Sequence, residues 1–135
     1  MSVITTRKVV EGLSNLVLHV YMESDGVSGE LEDYILLAPA DLEPPLKPSP
    51  SLRIQRVWFS SVWFDLTLKF GGIVPMPVWV LARDTGTEWD FTRFGGISDY
   101  NTVPPADKNG NLLISTNGFE PAGSQGSLVI EFRKP

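Results

Sequence analysis

The sequence predicts an all-β fold: a single antiparallel β-sandwich, jelly-roll-like, of about eight strands with extended termini. Three observations carry this expectation. Twelve glycines and eleven prolines are spread along 135 residues, heavier punctuation than a helical protein tolerates. Several stretches between them alternate apolar and polar side chains with period two, as a half-buried strand must. No stretch shows a helical period, so the connections of a parallel β/α fold are missing. A chain of this length makes one domain and can bury a core of its own.

Taken in order, residues 1–13 (MSVITTRKVVEGL) read as an arm that pairs with a sheet edge, its own or a neighbour's. Residues 14–135 are then the sandwich. From Asn15 to Glu23, Leu16, Leu18, Val20 and Met22 share one face against Val17, His19 and Tyr21. Ser24-Asp25-Gly26 turns the chain, and Tyr34 to Ala38 is a short apolar strand. Five prolines in Pro39–Pro50 remove too many backbone donors for a ladder, so this stretch reads as a stiff crossover loop. In the next strand Leu52 and Ile54 fall out of phase with Val57 and Phe59, which calls for a bulge near Arg56. Val62, Phe64, Leu66, Leu68 and Phe70 alternate without a break, so Val62–Phe70 reads as one strand with Trp63 on its far side. Val78–Ala82 is apolar on both faces and reads as central. Glu88–Phe94, Leu112–Thr116 and Leu128–Arg133 complete the count, with Asn109-Gly110 read as a hairpin turn.

The composition excludes several function classes. There are no cysteines, hence no disulfide, thiolate metal site or cysteine nucleophile. Eleven basic against sixteen acidic residues leave a net charge of −5, opposite to the basic surface that nucleic acid requires. No apolar run approaches the roughly 20 residues of a membrane span, and no signal-peptide core opens the chain. The one histidine, His19, sits inside a strand without a nucleophile motif. Acidic groups at Glu30, Glu32 and Asp33, and at Asp84, Glu88 and Asp90, lie in or beside turns, where solvation and turn hydrogen bonds favour them. Asp107 to Asn111 starts like a calcium loop, but its glycine is misplaced and no glutamate closes it. The expectation is no catalytic residue, no cofactor and no metal. Trp58, Trp63 and Trp79 are candidates for stacking on a sugar.

Three stretches, SNLVLHVYMESDG, TEWDFTRFGGISD and KNGNLLISTNGFEPAGSQGSLVIEFRKP, together resemble small virion proteins of tailed bacteriophages over about residues 13–135. The resemblance brings no catalytic motif; its glycines (Gly26, Gly95, Gly96, Gly110 and Gly118) fall at turns. It implies a structural protein of the virion, in first place a capsid decoration or cement protein on the capsid surface, present in the host cytoplasm during assembly. Its partners would be the major capsid protein and neighbouring copies of itself, with a trimer natural at quasi-threefold positions. A head–tail connector or tail-associated subunit is the second reading and a glycan-binding sandwich on the virion the third. Val3, Ile4, Val9, Val10 and Trp63 are the expected contact residues.

Overall fold

The computed structural model describes residues 2–42, 52–72, 75–83, 86–98 and 108–134. Among them nine strands form two antiparallel sheets. One sheet runs, edge to edge, β1 (Val3–Glu11), β2 (Asn15–Glu23), β9 (Gln125–Arg133), β4 (Arg53–Val62) and β7 (Gly86–Asp90). The other runs β3 (Tyr34–Leu37), β8 (Lys108–Asn117), β5 (Asp65–Gly72) and β6 (Met76–Leu81). Short 3-10 turns follow β3 at Pro39–Asp41 and β7 at Thr92–Phe94.

The pairing is nested: β2 with β9, β3 with β8, β4 with β7 and β5 with β6. Strands β2 to β9 are thus one long hairpin, bent at the β5–β6 connection and rolled so that its two arms supply both layers. That is a jelly roll. Only β1–β2 and β5–β6 join sheet neighbours, so every other connection crosses between the sheets.

Period two explains the layers. Leu16, Leu18, Val20 and Met22 of β2 are fully buried, as are Leu128 and Ile130 of β9 and Leu66 and Leu68 of β5. Each strand turns its apolar set inward, and the two sets meet as the core. Phe64 stands edge-on to both Phe59 and Phe119, with centroids 5.9 and 4.8 Å away. The phase break in β4 is a bulge between Ile54 and Arg56, which leaves Ile54, Val57 and Phe59 all buried.

Four expectations are corrected. The run Val62–Phe70 is two strands in different sheets: β4 ends at Val62, the chain turns at Trp63, and β5 begins at Asp65. Val62 is consequently exposed rather than buried. β6 is an edge, not a centre, and its Val80 is 61% exposed. Its apolar Trp79 is accounted for by the sandwich side, where it meets Phe91 from the opposite layer edge-on at 5.0 Å. Asn109-Gly110 lies within β8, where Gly110 takes φ +80° opposite an irregularity in β5, rather than in a hairpin turn. The strand at Glu88 stops at Asp90, because the Asp90 carboxylate accepts from the amide and hydroxyl of Thr92 and closes a 3-10 turn. Most of the proline-rich stretch, residues 43–50, and Asp84 and Asp107 lie outside the described residues.

The segment read as an arm is a full strand. β1 pairs with β2 from Val3↔Glu23 to Glu11↔Leu16, with a bulge between Lys8 and Val10. It stands outside the eight-stranded roll as an added edge and raises the strand count to nine.

Candidate functional site

Two places expose more than packing requires. The first is β1. Seven of its nine residues are exposed; it is the edge strand of the five-stranded sheet, with β2 as its one strand neighbour among the described residues. Val3, Val9 and Val10 are each about half exposed, and only Ile4 packs against the core. At its far end Glu11 pairs with Lys8 and with Lys134, whose side chain is only 4% exposed. The ammonium of Lys8 also donates to the Asp41 carbonyl. At the other end the Ser2 hydroxyl donates to the Asp25 carboxylate and accepts from the Asp25 amide, so β1 is fastened near both ends and open along its outer edge.

The second is the corner where β4 passes into β5. Trp63 has φ +76°, a left-handed conformation that costs a non-glycine residue about 1–3 kcal/mol and persists only where neighbours enforce it. The neighbours are identifiable. The Ser61 hydroxyl donates to the Phe64 carbonyl at 2.8 Å across the bend. Phe64 is locked in the core between two other phenyl rings. Gly118, itself at φ +96°, lets the Trp63 carbonyl approach so closely that a Cβ there would sit 2.5 Å from it. Arg83 donates to both oxygens of Asp65 and to the Asn117 carbonyl, fastening the corner to the ends of β5 and β8. Those Arg83 hydrogen bonds hold the Asp65 carboxyl below its ordinary pKa. On this frame the Trp63 side chain is 50% exposed and borders a hollow of about 490 Å³ with Arg83, Gly118, Glu120 and Pro121.

The expected contact residues do not form one group. Val3 and Val62, next to Trp63, share a cross-sheet row, Val3–Glu23–Gln125–Val62. Three strand spacings separate them, about 14 Å. Trp58 lies on the outer face of the five-stranded sheet between Val129 and Glu88, beside an apolar hollow of about 320 Å³.

The acidic clusters resolve into turn chemistry. Glu30 accepts from the Thr116 hydroxyl and from the amides of Gly118 and Phe119 at 2.6–3.0 Å. Glu32 and Asp33 pair with Lys69, and Asp90 pairs with Arg56. These four carboxylates are engaged with a backbone or a cation, which is structural work, while Glu88 lies exposed within β7. His19 lies on the outer face of β2, between Arg7 and Val129. Among the described residues no three His, Asp or Glu side chains converge as metal ligands, and no helix is long and apolar enough to cross a membrane.

Sequence reasoning named Trp63 but missed its surroundings. Arg83, Gly118, Glu120 and Pro121 come from two segments remote from it in the chain, and no local pattern announces their meeting. The one signal was the unexplained exposure predicted for Trp63.

Fold and site together define a jelly-roll β-sandwich with an added edge strand. No protein-family model and no curated protein matches the chain.

Proposed function

We propose that this protein is a structural subunit of a tailed-phage virion, a capsid decoration protein that binds the lattice of the major capsid protein. The observation that carries the reading is β1: a nine-residue strand at a sheet edge, exposed on both faces and tied down near its two ends, by Ser2 to Asp25 and by Glu11 to Lys134. An exposed edge is a template for strand addition by another chain, in which backbone hydrogen bonds give affinity and alternate side chains give selectivity. Val3, Val9 and Val10 supply the apolar contacts. Many copies on a repeating lattice make weak single contacts sufficient. The sequence resemblance and the jelly roll, an architecture shared by many capsid and lectin domains, support the same reading, the latter by analogy of fold alone.

The test uses purified particles. Hundreds of copies per particle on a stained gel are expected for a decoration protein; a dozen or fewer would assign a connector or tail position instead. Removing residues 2–8 leaves Glu11 in place to partner Lys134. That chain is expected to stay folded and to lose particle binding, and normal occupancy would remove the part of β1 up to Lys8, Val3 included, from the account.

A further inference from the structure

We propose that the Trp63 corner is a saccharide site that takes a single pyranose ring. The inference stands apart from the assembly reading, since it uses the corner and not β1.

The ring of a pyranose has an apolar face of C–H groups and a rim of hydroxyls that both donate and accept. A site for it needs an exposed aromatic face, polar groups of both kinds around that face, and a support that does not move. Trp63 supplies the first: half its surface is open, although a tryptophan in a small sandwich is ordinarily core. Glu120 supplies a carboxylate acceptor and Arg83 a guanidinium donor, both exposed and both bordering the same hollow, while Pro121 adds apolar surface at its edge. The hollow, about 490 Å³, falls within the 300–1,000 Å³ common for small-molecule sites. The clamp on Arg83 from Asp65 and Asn117 and the clip of Glu30 onto Gly118 and Phe119 supply the third.

The backbone adds an argument of its own. A residue at φ +76° is most readily glycine, yet this position holds the largest side chain available. Strain kept at an exposed aromatic directs attention to what the aromatic does. The other two tryptophans considered fit less well. Trp79 is engaged with Phe91 across the sandwich, and Trp58 is only half-buried on a regular strand, in a hollow whose exposed surface is mostly apolar although Ser60, Ser127 and Glu88 border it.

Saturation-transfer NMR on the full chain tests this with four probes: the methyl glycosides of glucose, galactose, mannose and N-acetylglucosamine at millimolar concentration. At least one is expected to receive saturation from the protein. Trp63→Gly should abolish the transfer while the melting temperature stays equal or rises, because glycine accepts the left-handed backbone that tryptophan strains. Glu120→Gln should weaken binding about tenfold, and Trp58→Ala should leave it unchanged. No transfer to any of the four, transfer that survives Trp63→Gly, or a Trp63→Gly chain that melts well below the parent would each overturn the proposal. Loss of glycoside binding leaves particle occupancy untouched, so this inference and the assembly reading fail separately.

Discussion

The Trp63 corner and the β1 edge are both exposed, and they are built in opposite ways. The corner is over-determined: a buried hydroxyl bridge, a locked phenyl ring, a glycine that admits a carbonyl, and an arginine bound to two strand ends hold one residue in an unfavourable conformation. β1 is under-determined, with one strand neighbour among the described residues, one side chain packed on the core, an ionic anchor at its C-terminal end and a pair of hydrogen bonds from Ser2 to Asp25 at the other. The difference teaches what each is suited to. A pre-organised corner presents a fixed surface at low ordering cost, as recognition of a small rigid ligand requires. An open edge offers backbone groups to a partner that supplies the missing neighbour.

Four measurements sharpen or break this contrast. The largest effect is expected from Phe64→Ala, which empties the centre of the aromatic cluster and removes the wedge behind Trp63. The loss should be about 3–5 kcal/mol, seen as a fall in melting temperature of roughly 10–20 °C. A fall of only a few degrees would mean that the corner does not depend on the core. Next comes Gly118→Ala. Its Cβ meets the Trp63 carbonyl at 2.5 Å and its φ of +96° disfavours any side chain, so a loss of about 1–3 kcal/mol is expected by denaturant unfolding. Gly29, also at positive φ but with open space at its Cβ, is the control whose smaller loss isolates the collision from the φ strain.

Local opening distinguishes the two regions directly. Amides of β1 should exchange with deuterium roughly a thousandfold faster than those of β9, because a poorly buried edge opens without the whole domain. Equal protection would show that β1 belongs to the cooperative core. The smallest effect is on acid tolerance. Asp65 has a lowered pKa in the folded chain, with its Arg83 hydrogen bonds as the main cause. Its contribution is fully present above the unfolded value near 4 and is lost as pH falls through the lower folded value. Because both side chains are partly exposed, the effect is modest. Asp65→Asn should flatten the stability slope below about pH 4, and an unchanged slope would release Asp65 from the corner's frame.

Much of this architecture could be read along the chain. The buried faces of β2 and β9 follow from period two alone, and the bulge in β4 follows from the phase slip between Ile54 and Val57. The five glycines of the resemblance all sit at φ between +77° and +96°, where the missing Cβ is the reason for the residue. The Trp63 corner was hidden for a specific reason. β4 points Ser61 inward and Val62 outward, and the left-handed turn at Trp63 then moves the chain to the other sheet and brings Phe64 inward. Apolar residues still fall on alternate positions throughout, so two strands and a corner look like one strand.

The amino-acid order by itself determined the sidedness of the strands, the two-layer class and the places where the chain must bend, because each depends on neighbours a few residues apart. Tertiary structure alone decided which strands lie side by side. The nested pairing of β2 with β9, the placing of apolar β6 at an edge, and the gathering of Arg83, Glu120 and Pro121 around Trp63 all depend on contacts between distant segments. Periodicity tells a strand which face to bury. It carries no information about the partner that its backbone hydrogen bonds will find.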